Sequence, residues 1–282
     1  MALRPSKAAM ALIRNRAVIA ALTGAALLVG GGVWAWHESR EVCCAFPDDQ
    51  ERIGAVGLMT SLPLYWPEGA ALGEIATGAG ELPWQRRLLE SRYDLVPLDT
   101  LSPIPALDPD ANEIDPIGDL DRLAVIQPRG LSPADNVALD DWVRAGGHLL
   151  LVLDPAMTAH SEYALGDPRR PVDAALIPPV VARWGLEVRF DEAQPPVRTA
   201  RLGEVELPLE LAGEVREIAG SDTQCRIGDQ SAYAVCTVAK GRVTLLADAA
   251  VFALGSADDP VGERRDKSAA IQALVESAFE NR

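Results

Sequence analysis

The chain has 282 residues, and 48% of them are hydrophobic, which is enough apolar material for one large or two modest folded domains. It carries 41 acidic and 26 basic side chains, a formal net charge of −15. A surface this acidic repels nucleic-acid phosphates and anionic lipid headgroups. The composition therefore argues against nucleic acid as a partner.

The amino-terminal 36 residues have the pattern of a membrane anchor. Residues 1–16 contain four basic residues and no acidic one, and residues 17–36 carry no charge at all. Twenty apolar residues are enough to cross the roughly 30 Å of bilayer hydrocarbon. Because the basic residues all precede this span, we predict a cytoplasmic tail at 1–16 and a single transmembrane helix at 17–36. The chain that follows would lie in the periplasm, anchored in a bacterial inner membrane.

A cleaved signal peptide is the alternative interpretation of this segment, because its start is basic and Val33 and Ala35 give a loose small-residue cleavage pattern. The uncharged stretch is longer than the ~7 to 15 residues usual in signal peptides, which favours the anchor. Trp34 and Trp36 are then placed to anchor the helix at the membrane interface. The polar residues 37–52 have no periodic pattern and form a predicted tether, and residues 53–282 form the predicted extracytoplasmic domain.

The first part of that domain contains three predicted elements and one long loop. Residues 53–61 are an apolar run typical of a buried strand, and residues 81–92 place Trp84, Leu88 and Leu89 at helical spacing. A short strand is predicted at 94–99. Residues 102–118 are rich in Pro and Asp, and this predicted loop is long enough to form a rim or a surface for a partner.

The next stretch predicts a strand, a helix and a second strand. Residues 123–128 form a continuous apolar run, after which Ser132 and Pro133 begin a helix, with an acidic residue at the third helical position. Gly146 and Gly147 end that helix, and residues 148–153 form another buried strand. Two apolar strands joined by a helix at this spacing predict a right-handed βαβ unit in a mostly parallel sheet with covering helices.

The remaining sequence predicts a second unit, a change of sheet type and a terminal helix. Residues 177–184 and 186–190 are a predicted helix and strand that would repeat the preceding βαβ unit. After Asp191, short alternating runs indicate an antiparallel or mixed β extension. Near the carboxyl end an apolar stripe with the period of a helix predicts a helix packed on the sheet; it comprises Ile271, Leu274, Val275 and Ala278.

Four cysteines lie in the predicted periplasmic part, where disulfides persist. Cys225 and Cys236 flank a segment with a turn and strand character, and we predict that they form a disulfide. Cys43 and Cys44 are neighbours that cannot easily bond to each other, and they either pair between chains or remain free. The four have no spacing typical of a metal site, so no metal is predicted.

No motif in the chain indicates covalent catalysis or a cofactor. Neither Ser nor Cys occurs in a nucleophile elbow, the three histidines lack supporting motifs, and no phosphate-binding loop is present. An acidic run resembles a calcium-binding loop, but Glu113 stands where that loop needs glycine and Asp119 where it needs glutamate. The residues of this run that would bind calcium are Asp108, Asp110, Asn112 and Asp119. We interpret the run as a solvated loop.

The strongest candidates for a ligand or partner crevice are the polar residues that follow the predicted parallel strands. Open α/β sheets bind ligands outside the carboxyl ends of their strands. The residues at these positions are Thr60, Ser61, Gln127, Arg129, Asp154 and Asp248. The alternative is that they cap backbone amides and shape turns, which is the common role of carboxylates and amides at such positions.

Residues 123–155 and the segment that follows them resemble the extracytoplasmic domain of gliding-motility-type ABC transporter auxiliary proteins. In that family the same short motifs recur in order, here Gln127-Pro128, Leu131-Ser132, Gly146-Gly147, Asp154-Pro155 and Trp184-Gly185, followed by a last strand of the type found at 241–248. The resemblance implies a flavodoxin-like or amidotransferase-like α/β sheet without the amidotransferase nucleophile. It also implies a complex with an ABC-type permease and ATPase.

Two functions follow from these observations. The first is a membrane-anchored, non-catalytic accessory or binding subunit of an ABC-type transport complex, in line with the anchor and the missing catalytic motifs. The second is a membrane-tethered periplasmic enzyme that acts on envelope material through acidic residues at the strand ends. A homo-oligomer is compatible with either function.

Overall fold

The computed structural model describes residues 52–78, 80–108, 112–219, 223–253 and 261–280. The predicted basic tail, the predicted transmembrane helix, all of the tether except Arg52, and the cysteines at 43 and 44 lie outside these residues. Within the described ranges, no helix combines the length and the apolar character that crossing a bilayer requires.

A seven-stranded sheet forms the centre of the fold, in the order β2-β1-β3-β4-β11-β10-β9. The first five strands in that order are parallel, and β10 and β9 continue the sheet in antiparallel pairing. The predicted parallel sheet with a mixed extension is therefore confirmed. The strands are β1 (Gly54–Thr60), β2 (Tyr93–Pro97), β3 (Arg122–Ile126), β4 (His148–Val152), β9 (Gln224–Ile227), β10 (Tyr233–Val238) and β11 (Gly241–Leu246).

Four further strands form two small sheets outside the main one. Strand β5 (Leu186–Arg189) pairs antiparallel with β8 (Glu214–Glu217), and β6 (Val197–Leu202) forms a hairpin with β7 (Val205–Glu210). The prediction that residues 186–190 add a second βαβ strand to the parallel sheet is therefore wrong. Strand β11 occupies the place beside β4 instead. Helices cover both faces of the sheet at this position, so a strand there has to be mostly apolar and buried, as β11 is. Strand β5 does not fit, because it is half-exposed and every second residue is charged.

The helices are α1 (Leu72–Thr77), α2 (Trp84–Glu90), α3 (Pro133–Ala145), α4 (Pro179–Arg183) and α5 (Val261–Phe279), and a short 3₁₀ turn spans Asp229–Ser231. The helices predicted at 81–92 and 177–184 are present but shorter. Helix α1 was not predicted; it contains no buried residue and ends at Gly78, which has a positive φ of 65°. The apolar stripe expected near the carboxyl end is buried in α5.

The two faces of the sheet form two separate hydrophobic clusters. Along β3 and β4, successive side chains alternate between the clusters, as the two-residue period of a strand requires. Helices α2 and α5 cover one face, and α3 and α4 cover the other. Helices thus lie on both faces, as predicted, and the strands between them are buried on both sides.

The start of α3 is fixed by the capping box that the sequence predicts. The Ser132 hydroxyl accepts a hydrogen bond from the Asp135 N–H at 3.1 Å, and the Asp135 carboxylate accepts one from the Ser132 N–H at 3.0 Å. The same carboxylate accepts bonds from the Thr100 hydroxyl and the backbone N–H groups of Leu101 and Ser102. Burial alone would raise the pKa of Asp135, but these hydrogen bonds hold it well below its usual value.

A disulfide links β9 to β10. Cys225 and Cys236 are directly opposite each other in the antiparallel register, and the structure contains the predicted bond between them. Cys236 is fully buried in the cluster under α3 and α4. The bond therefore holds the outermost strand of the sheet, which otherwise has only one hydrogen-bonded neighbour.

Replacing both Cys225 and Cys236 by Ala should lower the free energy of unfolding by about 2 to 3 kcal/mol, because the unfolded chain regains the freedom that the short loop restricts. Urea unfolding of the variant and of the wild-type chain, with and without reductant, measures the difference. Reduced wild-type protein should approach the variant. Alkylation of both thiols in unreduced, unfolded wild-type protein would show that the bond does not form.

Candidate functional site at the carboxyl edge of the sheet

The candidate residues at the strand ends lie at one edge of the sheet because β1, β3, β4 and β11 are parallel. The structure joins most of them in hydrogen-bonded networks with their own backbone. One network is centred on Gln127 and includes Ser61 and Asp154, and a second is centred on Asp248. The switch point in strand order lies between β1 and β3, where open α/β sheets form their ligand crevice.

Gln127 is fully buried at this switch point and has a positive φ of 44°. Its side-chain N–H₂ group donates to the carbonyl oxygens of Asp154 and Val172, both at 3.1 Å, and its side-chain oxygen accepts from the Asp154 N–H at 2.8 Å. A fully buried amide in an unfavourable backbone conformation is retained only where the surrounding structure compensates for it. Gln127 therefore ties the end of β3 to the segment that follows β4.

Ser61 connects the end of β1 to the same network. Its hydroxyl donates to the Gln127 carbonyl at 2.6 Å and accepts from the Val172 N–H at 3.2 Å. Thr60 accepts from the Leu62 N–H at 3.0 Å and so shapes its own turn. At Thr60 and Ser61, as at Gln127, the polar groups bond to the protein's own backbone.

The loops after β1 and after β4 interlock above this edge. The Glu68 carboxylate accepts bonds from the Ser161 hydroxyl and the Glu162 N–H, both at 2.8 Å, and the Gly69 N–H donates to the Tyr163 hydroxyl at 2.9 Å. Together with the bond from Val172 to Ser61, these contacts place the chain itself over the switch point. The crevice predicted there is lined by groups that already have intramolecular partners.

The two aspartates at the ends of β4 and β11 are buried carboxyl groups. Asp154 accepts from the N–H groups of Ala156 and Ala249, and Asp248 accepts from those of Ala250 and Glu210. Burial raises the pKa of Asp154 to about 6. Burial, and next the nearby charge of Asp154, raises the pKa of Asp248 well above its usual value. Both residues cap turns, and both hold a proton more readily than an exposed carboxyl group.

Arg129 is the candidate that the structure does not bring into these networks. Its side chain is exposed, and within the described part of the chain it makes no hydrogen bond or ion pair. The histidines are also separate: His148 begins β4 at the opposite edge of the sheet, and His160 is exposed in the loop after β4. Burial lowers the pKa of His148.

The described residues contain no group of three or more His, Cys, Asp or Glu side chains that could hold a metal ion. Of the four candidate calcium ligands in the sequence, Asp110 lies outside the described ranges.

A second feature, which the sequence indicated only as a long loop, is a cleft of about 660 Å³ beside α3. One wall is the outer face of the helix, including Val137, Asp141 and Trp142. The other is formed by the two ends of the loop, at 102–103 and 115–118. Trp142 is partly buried and packs against the core, and its indole N–H donates to the Leu120 carbonyl at 2.8 Å. Only the tertiary contacts show that the loop packs on α3.

Replacing Gln127 by Ala should lower the free energy of unfolding by about 2 to 4 kcal/mol, because buried backbone groups of Asp154 and Val172 lose their partner. Replacing the exposed Arg129 by Ala, two residues away, should change it by less than about 0.5 kcal/mol. Urea unfolding of both variants measures the contrast. Equal stability of the two would mean that the Gln127 network does not hold the edge together.

The buried aspartates should give the domain a pH dependence opposite to that of ordinary carboxylates. Between about pH 4, the usual pKa of Asp in an unfolded chain, and about pH 6, folded Asp154 holds a proton that the unfolded chain has lost. The free energy of unfolding should therefore fall as the pH rises through this window. Asp154→Asn should remove that contribution, which is on the order of 3 kcal/mol.

Unfolding of the wild type and of Asp154→Asn, measured at several pH values from 4.5 to 7, isolates this effect, because His148 contributes a slope of opposite sign to both proteins. The exposed Asp141→Asn variant is the matched control and should keep the wild-type slope. An identical slope in Asp154→Asn and the wild type would contradict the assignment.

Comparison with solved structures gives matches of low similarity. They include an exo-β-1,4-mannosidase from Opitutaceae bacterium strain TAV5, with 18% identity and a TM-score of 0.43 over 80% of this chain and 36% of that one. A β-galactosidase from Rahnella sp. R3 has 11% identity and a TM-score of 0.40 over 82% and 32%. A β-galactosidase from G. stearothermophilus has 12% identity and a TM-score of 0.38 over 80% and 30%. The chain spans about a third of the length of these enzymes.

A search of curated proteins finds no match. The model of a protein family described as ABC-type uncharacterized transport system matches residues 72–202. This segment includes β2, β3, β4, α3 and the loop at 102–118. It also includes the family-like motifs from Gln127-Pro128 to Trp184-Gly185. Over these residues the match confirms the predicted resemblance to ABC transporter auxiliary proteins.

Proposed function

We propose that the chain is a membrane-anchored, non-catalytic accessory or binding subunit of an ABC-type transport complex in the bacterial inner membrane, of the gliding-motility type. The observation that carries this proposal is the family match over residues 72–202. That segment contains the βαβ unit and the motifs shared with the gliding-motility-type proteins. The partners would be the permease and ATPase subunits of the transporter.

The hydrogen bonding at the carboxyl edge supports a non-catalytic role. Catalytic groups are directed at a substrate position and need a base or nucleophile within reach of it. Here Ser61, Gln127, Asp154 and Asp248 are buried, and each bonds to backbone groups of the protein. These intramolecular bonds support the interpretation that the four residues shape turns and hold the edge of the sheet.

The location of the domain is proposed from the sequence. The basic residues before the uncharged segment at 17–36 favour a cytoplasmic amino end and a periplasmic domain at 53–282. The disulfide between Cys225 and Cys236 is in line with an oxidising compartment.

One observation favours the alternative of a membrane-tethered enzyme acting on envelope material. Asp154 and Asp248 interact electrostatically, and both have raised pKa values, as the acid of an acid–base pair requires. Structural burial produces the same shifts, however, and the four N–H groups bonded to these carboxylates account for their positions. The accessory function therefore stands first.

We expect the full-length chain, carrying an affinity tag and purified from detergent-solubilised membranes, to bring down an ABC permease and its ATPase in a constant ratio. The matched control is the segment 1–52 fused to an unrelated periplasmic domain, which should recover neither subunit if residues 53–282 make the contact. Recovery of the full chain without transporter subunits would contradict the proposal, as would equal recovery by the control.

The proposed topology has its own test. A reporter enzyme that is active only outside the cytoplasm, fused after Arg282, should be active in intact cells because all four basic residues of the first sixteen precede the span. Replacing those four basic residues by Glu should reduce this activity. An inactive reporter in a wild-type fusion that is produced at full length would contradict the proposed topology.

A further inference from the structure

The cleft beside helix α3 is named the α3 cleft. Hydrogen bonds hold its walls in place, and the charged residues in its lining are acidic. Its lining is mostly apolar and includes Ile117 on the loop and Val137 and Trp142 on the helix. The charged residues of this lining are Asp115 and Asp141. We propose that the α3 cleft binds a basic amphipathic segment of a partner protein, with apolar side chains in the cleft and Lys or Arg at its rim.

The cleft is held open by contacts at both ends of the loop. At the start of the loop the Asp135 carboxylate, which belongs to the first turn of α3, accepts from Thr100, Leu101 and Ser102 at 2.8 to 2.9 Å. At its end the Trp142 indole donates to the Leu120 carbonyl. Leu101 and Ile117 are buried in the core below. The walls are therefore fixed before any partner binds, which limits the entropy lost on binding.

The apolar part of this surface is exposed in the free protein. Val137 has 61% of its surface accessible in the middle of the helix wall, and Ile114 has 51% accessible on the loop. Ile114 and Ile104 are joined by two backbone hydrogen bonds of 2.9 Å that narrow the loop, and both side chains are exposed. An apolar cleft with exposed aliphatic side chains around it is typical of an interaction surface.

Charge determines which partner fits this surface. Residues 102–118 contain four acidic residues and no Lys or Arg. Asp141 is exposed on the helix wall, and no described residue forms an ion pair or a hydrogen bond with its carboxylate. Asp115 lies across the cleft, where its carboxylate accepts a hydrogen bond from the Ile117 N–H. Acidic groups on both walls attract a segment with Lys or Arg and repel an acidic one.

The proposal deepens the proposed function, since such a segment would belong to another subunit of the transport complex. The test nevertheless does not depend on the complex. The full-length chain in non-ionic detergent is titrated with a fluorescent peptide of about 14 residues, built from Leu and Lys as an amphipathic helix similar in length to α3. A second peptide has Glu in place of every Lys.

We expect saturable binding of the Lys peptide and none of the Glu peptide. Val137→Arg should weaken binding by at least about tenfold, and Asp141→Lys by about fivefold with a smaller dependence on salt. The matched controls are Leu72→Arg and Glu204→Lys, which make the same changes at exposed positions away from the cleft and should alter the affinity by less than about twofold. Both replaced residues of the cleft are exposed, and thermal unfolding verifies that the variants fold.

Equal affinity in all four variants would mean general attraction to an acidic protein and would overturn the proposal, as would the absence of saturable binding. Sedimentation tests another occupant: a chain that self-associates through Val137 and becomes monomeric in Val137→Arg would show that a second copy fills the cleft. Failure of peptide binding with intact co-purification of transporter subunits rejects the α3 cleft and leaves the proposed function standing. Peptide binding without co-purification supports the cleft and rejects that function.

Discussion

The carboxyl edge of the sheet depends on the hydrogen bonds that the buried side-chain amide of Gln127 makes. It lies at the switch point between β1 and β3, and its three side-chain hydrogen bonds are all made to backbone groups of the chain after β4. Ser61 extends the same network to β1. In a parallel sheet covered on both faces, this edge is where a ligand would normally satisfy exposed polar groups. Here the buried side chains of Gln127 and Ser61 bond to the chain's own backbone.

The Asp135 carboxylate caps α3 and also holds the start of the loop that follows β2. One residue thus begins the helix and positions Ser102 in the wall of the α3 cleft. These hydrogen bonds keep the pKa of Asp135 low. The carboxylate therefore stays ionised, and holds the start of the loop, throughout the physiological pH range. Asp154 and Asp248 show the contrasting case, since burial dominates there and raises both pKa values. The same residue type thus has opposite electrostatic behaviour according to how many donors surround it.

Local patterns in the sequence predicted the local structure well. Three elements could be recognised from neighbouring residues alone: the apolar strand at 123–128, the capped helix after Ser132 and the strand at 148–153. The disulfide could be predicted because its two cysteines are close in sequence. Pairing between distant strands was not predictable in this way. The segment at 186–190 has the composition of a strand, yet the place beside β4 is taken by β11, which begins about 90 residues after β4 ends. For the same reason the intramolecular partners of the strand-end residues, such as Val172 for Ser61, could not be predicted from the sequence.

The central claim is that this domain works through contacts with other subunits and not through chemistry at its strand ends. The most direct measurement is the transport-linked phenotype of cells that carry Asp154→Asn or Asp248→Asn as their only copy, combined with unfolding measurements on the purified variants. The account predicts that any variant that remains folded at the growth temperature also retains the phenotype and the association with the transporter. Loss of the phenotype with the fold and the association intact would contradict it and would assign the function to the buried carboxylates.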